Sequence, residues 1–175
     1  MDLGLKNKVV MVAASSKGLG FGIARQAAQE GAVVVMGSRN QEDLANAAER
    51  IRKDLNGARL HTHVLDVSDP SSIKLWVNDA LDSLGTVDAL VVNGGGPPAG
   101  TFDEIDDKTW LSGYENTLMS AVRLIRAVLP EMRRKKSGSI LTVTSSSVKE
   151  PIDNLLLSNV YRSGVTSLVK SLSIQ

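Results

Sequence analysis

The stretch KVVMVAASSKGLGFG, from Lys8 to Gly22, decides the fold of this chain. It begins as a short apolar run that ends in small residues, which is typical of a strand buried on both faces of a parallel sheet. Three glycines follow where the chain leaves the strand, namely Gly18, Gly20 and Gly22. Helical spacing then continues as far as Gly31, a residue type that favours the end of a helix. The stretch therefore predicts a buried strand that turns directly into a helix.

The rest of the chain repeats this alternation. A second buried strand is predicted at AVVVMGSR, and further strands are predicted at RLHTHVLDVSD, VDALVVNGGG and SILTVTSSS. The remaining helices are predicted after Asn40, after Asp69, over about 107–136 and from about Asn154 to the last residue. Strands separated by helices of this length form βαβ units with right-handed crossovers. We therefore predict one α/β domain of Rossmann type over residues 1–175, with a doubly wound parallel sheet.

The last predicted helix is still running at Gln175 without a stop signal. A parallel sheet that ended here would leave its fifth strand as an exposed edge, which invites aggregation. We therefore expect the native protein to continue into further strands, so that the C-terminal part of the fold lies outside this sequence.

The composition indicates which partners are not expected. Hydrophobic residues make up 42% of the 175 residues and aromatic residues 3%, so the core must be aliphatic. A net charge of +1 gives no argument for binding nucleic acid or a membrane surface. No apolar run reaches the length of a membrane span, and the absence of cysteine excludes disulfides and thiolate chemistry. We expect a cytoplasmic protein that binds neither nucleic acid nor a membrane.

The glycine-rich turn favours a phosphate-binding role. Glycines let the backbone approach a pyrophosphate closely, and the N-terminus of the following helix offers free N–H groups and the positive end of its dipole. A tight turn with close helix packing explains the same glycines and stays open as an alternative. About twenty residues further on, Arg39 ends the second strand, where an acidic residue would hold a ribose hydroxyl. Arg39 and Lys17 together favour a 2′-phosphate, and so NADP or NADPH over NAD.

With these residues the sequence resembles the short-chain dehydrogenases/reductases. Their TGxxxGxG motif is similar to AASSKGLG at 13–20, in which Ala14 replaces the first glycine. Their Asp after the third strand matches Asp66, and their NNAG motif resembles VNGG at 92–95. The resemblance implies a role in binding NADP for Ser16, Lys17, Gly18, Leu19, Gly20, Arg39, Asp66, Val67, Asn93, Gly94, Gly95 and Arg162.

The resemblance also implies where a catalytic site would lie. In this family a Ser, a Tyr and a Lys act on the substrate oxygen, and an Asn completes the proton relay. The Ser matches Ser145, and the Asn position holds Thr117. The Tyr and Lys positions hold Ser158 and Arg162. The segment SNVYR at 158–162 looks like a branch of the family that carries Ser-Asn-x-x-Arg at this place.

Tyr161 lies close to this segment but at a different offset. Residues three apart on a helix are displaced along it by about 4.5 Å, so Tyr161 does not replace a Tyr at position 158. We predict that Tyr161 packs in the core or in an interface. Proton transfer is instead expected to run through Ser145, Ser158 and water, with Arg162 stabilising the developing oxyanion.

Two function classes remain open. The first is an NADP-dependent oxidoreductase that transfers a hydride between nicotinamide and a carbonyl or alcohol, similar to 3-oxoacyl reductases or to sugar and alcohol dehydrogenases. The second is a non-catalytic NADP-binding sensor or scaffold, which the loss of the Tyr and the Lys would allow. The resemblance implies a small carbonyl or alcohol compound as the ligand, and assembly into homodimers or homotetramers.

Other conspicuous residues predict no further site. His61 and His63 lie on one face of a strand, but no carboxylate cluster accompanies them, so we expect no metal. Trp76 and Trp110 lie within apolar helical patterns and are predicted to pack.

Overall fold

The structure is a computed structural model that describes residues 3–175. Its sheet has 5 strands in the order β3-β2-β1-β4-β5, and every neighbouring pair is parallel. The strands are Val9–Val12 (β1), Val33–Ser38 (β2), Arg59–Val64 (β3), Ala89–Val92 (β4) and Ser139–Thr142 (β5). The chain builds outward from β1 to β3 and then crosses back to add β4 and β5 on the other side. This doubly wound order confirms the predicted Rossmann-type α/β fold.

Helices connect the strands. They are Gly18–Gln29 (α1), Gln41–Asp54 (α2), Pro70–Leu84 (α3), Asp107–Gly113 (α4), Ser120–Arg134 (α5) and Leu156–Leu172 (α6). A π-helical turn, Tyr114–Met119, joins α4 to α5, so the long helix predicted over 107–136 is interrupted. Within residues 3–175, no helix combines the length and the apolar character needed to cross a membrane.

Side-chain caps fix where α2 and α3 begin. Oδ1 of Asn40 accepts a hydrogen bond of 2.8 Å from the N–H of Asp43. Oδ1 of Asp69 accepts one of 2.8 Å from the N–H of Ser71. Both bonds satisfy N–H groups that the first turn of a helix leaves unpaired. Pro70 occupies the first position of α3, where a missing N–H removes no helical hydrogen bond. These helix starts agree with the prediction from sequence.

The strands present alternate side chains to two apolar layers. On one face, Met11 and Leu90 pack with residues of α3 and α5. On the other face, Val12 and Val34 pack with residues of α1 and α2. Because helices cover both faces at the centre of the sheet, β1, β2 and β4 are almost entirely apolar, whereas the edge strands β3 and β5 also contain polar residues. The carboxyl ends of the parallel strands meet at one edge of the sheet, where the loops that follow them form a site.

Candidate cofactor and active site

A cavity of about 520 Å³ opens at the carboxyl ends of β1 to β4. It is bounded by the loops after these strands and by the end of α4. The structure brings together in its wall most of the residues predicted to bind the cofactor: Ser16, Lys17, Leu19, Arg39, Asp66, Val67, Asn93, Gly94 and Gly95. Gly18 and Gly20 lie in the first turn of α1, and Arg162 lines an adjoining pocket.

Gly20 marks a close approach of α1 to the loop after β1. A Cβ at Gly20 would collide with the carbonyl oxygen of Ala14 and lie 2.7 Å from Nδ2 of Asn93. That Nδ2 donates hydrogen bonds of 3.2 Å to the carbonyl oxygens of Ala13 and Ala14, so it ties the end of β4 to this loop. Ala14 itself has a φ of +49°, a left-handed conformation that is strained for an L-residue. The loop therefore keeps a shape that requires glycine at position 20.

The N-terminus of α1 is left open toward the cavity. The N-cap residue is Lys17, whose side chain makes no capping hydrogen bond, in contrast to the caps of α2 and α3. Gly18 follows with a φ of +57° and is exposed, and a Cβ added there would meet nothing within 4 Å beyond its chain neighbours and its own helix. The first N–H groups of a helix have no partner inside the helix, and the dipole makes this end positive. The arrangement therefore fits a pyrophosphate, which accepts hydrogen bonds and carries negative charge.

The end of β2 is fastened to the same loop. The N–H of Gly37 donates a hydrogen bond of 3.0 Å to Oγ of Ser15, and that hydroxyl donates one of 3.3 Å back to the carbonyl oxygen of Gly37. Next to this pair, the hydroxyl oxygens of Ser16 and Ser38 lie 2.9 Å apart. Ser38 lines the cavity beside Arg39 and was not predicted from the sequence, although its position directly before Arg39 was a usable signal.

Asp66 is held as an ionised carboxylate at the end of β3. Its Oδ1 accepts hydrogen bonds from the hydroxyl of Ser68 at 2.7 Å and from the N–H of Ser68 at 2.9 Å. These bonds, with the charge of Arg39, outweigh the effect of partial burial and hold the pKa of Asp66 below its ordinary value. The N–H of Asp66 donates to Oγ of Ser72 at 2.9 Å, which fixes the backbone as well. The cavity therefore has a rigid hydrogen-bond acceptor beside Arg39.

A smaller pocket of about 20 Å³ continues from the cavity, and we call it the inner pocket. It shares Asn93, Gly94, Gly95 and Asn116 with the cavity, and its deeper wall includes Thr117, Val143 and Arg162. Nη1 of Arg162 donates a hydrogen bond of 2.8 Å to the carbonyl oxygen of Val143. Burial lowers the pKa of the Arg162 guanidinium. A guanidinium nevertheless stays protonated in proteins, so the inner pocket contains a fixed cation.

Thr117 adds an unsatisfied hydroxyl to the inner pocket. Only 8% of the residue is exposed, and within the described residues its Oγ1 has no hydrogen-bond partner. Thr117 lies in the π-helical turn between α4 and α5, and such turns are frequent at functional sites. Neither the turn nor Asn116, which lines both the cavity and the inner pocket, was predicted from the sequence.

The two serines of the predicted proton path lie apart from the lining of the inner pocket. Ser145 follows β5, and its Oγ accepts a hydrogen bond of 3.1 Å from the N–H of Ser147. Ser158 is buried, with 8% of its surface exposed, one turn before Arg162 on α6. The structure therefore gathers Arg162, Thr117 and Asn93 around the inner pocket, whereas Ser145 and Ser158 are not among its lining residues.

Tyr161 packs away from this site. Its hydroxyl donates a hydrogen bond of 2.9 Å to the carbonyl oxygen of Trp110, and its ring meets the Trp110 ring edge-on at 5.8 Å between centroids. Burial, together with Tyr114, raises the pKa of Tyr161. These contacts confirm the prediction that Tyr161 is a packing residue.

Asn159, the second residue of SNVYR, holds the segment that precedes α6. Its Nδ2 donates a hydrogen bond of 3.0 Å to the carbonyl oxygen of Ile152, and its Oδ1 accepts one of 3.4 Å from the N–H of the same residue. The N–H of Gly100, in the loop after β4, also donates to the carbonyl oxygen of Asn154 at 2.6 Å. The sequence predicts no role for Asn159, because its partner Ile152 lies seven residues away in an irregular segment.

Among residues 3–175, no group of three or more His, Asp or Glu side chains is arranged to hold a metal ion. His63 contacts the carbonyl oxygen of Val64 through Nδ1 at 2.8 Å. Trp76 is fully buried, and its Nε1 has no hydrogen-bond partner among the described residues.

Comparison with known proteins gives one consistent result. The short chain dehydrogenase family matches residues 8–174. The uncharacterized oxidoreductase YvrD of Bacillus subtilis is 30% identical over 174 residues, which cover 99% of this chain and 64% of YvrD. This chain therefore spans only part of the length of such a relative.

Two solved structures are similar over nearly the whole chain. L-sorbose reductase from Gluconobacter frateurii, in complex with NADPH and L-sorbose, superposes with a TM-score of 0.94 and 32% identity, covering 99% of this chain and 66% of that one. An NADPH-bound short chain oxidoreductase from Pseudomonas aeruginosa PAO1, described as containing an atypical catalytic center, has a TM-score of 0.91 and 27% identity, covering 97% and 67%. The cavity lies at the carboxyl edge of the same doubly wound sheet. This chain belongs to the short chain dehydrogenase family.

Proposed function

We propose that the protein is an NADPH-dependent oxidoreductase that acts on a small carbonyl or alcohol compound. The observation that carries this proposal is the cavity, which places the open N-terminus of α1 and the cation Arg39 in one wall. A helix N-terminus is suited to the pyrophosphate of a dinucleotide. The two similar structures, both described as bound to NADPH, support the same ligand.

The preference for NADPH over NADH rests on the end of β2. Arg39 and Lys17 supply positive charge, and the paired hydroxyls of Ser16 and Ser38 supply hydrogen bonds, all facing one cavity. A 2′-phosphate needs both kinds of contact. The carboxylate of Asp66 belongs to the next strand and is engaged by Ser68, so it does not stand where an acid would hold a ribose hydroxyl.

Bound NADPH would supply the hydride, which joins the carbonyl carbon of the substrate. The residues of this chain would manage the charge that then develops on the substrate oxygen. We place that oxygen at the mouth of the inner pocket, where Arg162 stabilises it electrostatically. The oxygen finally takes a proton from water. A relay of this proton through the hydroxyls of Ser145 and Ser158 stays a prediction of the sequence, because neither residue lines the inner pocket. The carbonyl is thereby reduced to an alcohol.

The segment SNVYR would thus be a working alternative to the Tyr and Lys that the family usually carries at these positions. Three features support this. Arg162 has a defined partner in the carbonyl oxygen of Val143. Asn159 fixes the segment that leads into α6. A similar structure with NADPH is described as having an atypical catalytic center. A degraded site would not be expected to keep such specific contacts.

We further propose that the protein forms homodimers or homotetramers. A groove of about 270 Å³ between α5 and α6 is lined mainly by apolar residues, including Val122, Ile125, Leu129 and Leu168, and also by two arginines. A second copy of the chain, presenting the same helices, would cover this apolar surface. A cytoplasmic location remains a prediction of the sequence.

Cofactor titration and turnover of the full-length protein test the function. Arg39→Asp should weaken NADPH binding at least about thirtyfold and leave NADH binding little changed, because a charge-assisted contact to the 2′-phosphate is lost. Lys53→Asp makes the same charge change at an exposed site near the far end of α2 and serves as the control. Equal losses for both cofactors would contradict the assignment of Arg39. Tight NADPH binding without turnover of any ketone, aldehyde or alcohol would favour a sensor or scaffold.

A further inference from the structure

Arg162 is a half-buried cation for which the structure offers no anion. Other partly buried cations of the described chain have one: Arg123 contacts Glu115, and Lys135 contacts Asp88. Arg162 donates one hydrogen bond to a neutral carbonyl oxygen, and among residues 3–175 no carboxylate forms an ion pair with it. A buried charge normally has a partner of opposite sign, because removal from water is costly.

The unused donors of Arg162 lie beside the inner pocket. Nη1 is committed to Val143, while Nη2 lies near Gly96 in the loop after β4, 3.8 Å from where a Cβ would stand. The buried hydroxyl of Thr117 faces the same pocket without a partner. A volume of about 20 Å³ suits a single oxygen-sized group. The guanidinium of Arg162 has unused N–H donors, and the hydroxyl of Thr117 has no partner. Together they can bind a negatively charged oxygen in this space.

A developing oxyanion alone does not account for this arrangement. It carries charge only during the reaction, so a neutral substrate would leave the cation uncompensated in the bound state. Among the described residues, the lining of the inner pocket also includes no acidic side chain that could pair with Arg162. An anionic group on the substrate would compensate the charge of Arg162 as soon as the substrate binds, before hydride transfer begins.

We propose that the substrate is a short oxo acid, one carboxylate oxygen of which enters the inner pocket and binds Arg162, beside the carbonyl that is reduced. This deepens the proposed function and rests on it. Hydride joins the carbonyl carbon and a proton joins the carbonyl oxygen, NADPH is oxidised to NADP⁺, and the carboxylate is unchanged. The product is a hydroxy acid.

The test compares acids with their neutral esters, using the full-length protein and NADPH. Pyruvate is paired with methyl pyruvate and acetoacetate with methyl acetoacetate. We expect kcat/KM to be about ten- to hundredfold higher for at least one acid than for its ester, the range for a charge-assisted contact. Arg162→Gln should bring that ratio close to one, and Arg162→Lys should leave an intermediate ratio. Tyr161→Phe, on the adjacent residue that packs away from the site, should leave the ratio unchanged.

A binding measurement gives a readout that is independent of turnover. Oxamate, a carboxylate that is not reduced, should bind to the NADP⁺-loaded protein in calorimetry, and at least about tenfold more weakly to Arg162→Gln. Turnover of neutral ketones with no preference for acids, or a preference that survives Arg162→Gln, would overturn the oxo-acid proposal and leave the oxidoreductase function standing. Oxamate binding through Arg162 without turnover of any carbonyl would instead overturn the oxidoreductase function and keep the anion site.

Discussion

Replacing Gly20 by alanine tests whether the loop after β1 has the shape that cofactor binding needs. The new Cβ would collide with the carbonyl oxygen of Ala14 and approach Nδ2 of Asn93 to 2.7 Å. Overpacking of this kind costs roughly 1–3 kcal/mol. Displacing Asn93 also removes its two bonds to the loop, at about 1 kcal/mol each. The higher helix propensity of alanine offsets up to about 1 kcal/mol of this cost, so a net loss of roughly 2–5 kcal/mol is expected.

Gly22 supplies a matched control two residues further along α1. It is exposed, and a Cβ there would meet no atom within 4 Å. Gly22→Ala should therefore stabilise the protein by up to about 1 kcal/mol, since only the helix propensity changes. Urea denaturation measures both variants, and titration with NADPH measures the cofactor site. We expect Gly20→Ala to lose most of its affinity for NADPH and Gly22→Ala to keep it.

Two outcomes would refute this reasoning. If Gly20→Ala were as stable as Gly22→Ala and bound NADPH normally, the close approach of α1 to the loop would not exist in solution. If Gly20→Ala does not fold, Asn93→Ala tests the same contact without overpacking, because it removes both hydrogen bonds to Ala13 and Ala14. An Asn93→Ala variant with full stability and full NADPH affinity would then show that these bonds do not hold the loop.

Two further predictions concern single side chains. The carboxylate of Asp88 is partly buried, which alone would raise its pKa. Hydrogen bonds from Lys135 and from the N–H of Val9, together with the charges of Lys135 and Lys8, outweigh this effect. They hold the pKa of Asp88 below its ordinary value. Asp88→Asn should lower the free energy of unfolding by about 1–3 kcal/mol at neutral pH. The difference from the unchanged protein should shrink as the pH falls below about 4, because a carboxyl with a depressed pKa loses its stabilising contribution when it is protonated. Urea denaturation as a function of pH measures this difference, and a constant difference would contradict the prediction. Thr117→Val should leave the stability unchanged or raise it by up to about 1 kcal/mol, because it removes a buried hydroxyl without a hydrogen-bond partner. The same change should weaken oxamate binding. A clear loss of stability in thermal denaturation would show that the hydroxyl is hydrogen-bonded.

The sheet and most helices were predictable because their signals are local. Apolar runs, N-caps at Asn40 and Asp69, and glycines after the first strand each act within a few residues. The position of the cavity was also predictable, because the carboxyl ends of parallel strands lie at one edge of the sheet. The right-handed crossovers of βαβ units limit the possible strand orders but do not by themselves select the observed one.

The features that were not predictable depend on distant partners. The π-helical turn at Tyr114–Met119 contains neither proline nor glycine, so nothing local marks it. Arg162 meets Val143 only after α6 has packed against the end of β5. The left-handed φ of Ala14 is likewise imposed from outside, because Asn93 holds its carbonyl oxygen from another strand. Sequence motifs therefore predicted most residues that line the cavity, whereas the contacts of Arg162 and Ala14 depend on the tertiary structure.

The groups around the proposed reacting centre also determine how turnover should depend on pH. Neither the cavity nor the inner pocket is lined by a histidine or a tyrosine among the described residues. Tyr161 is engaged with Trp110, and burial raises its pKa further. Arg162 stays cationic, and serine hydroxyls do not titrate in the physiological range. With saturating NADPH and substrate, kcat should therefore be nearly constant from about pH 7 to pH 9, because water is the proton source and no group of the site changes its charge. A sigmoidal kcat profile with an apparent pKa inside this range would show that a titrating acid takes part, and the path through Ser145, Ser158 and water would be wrong.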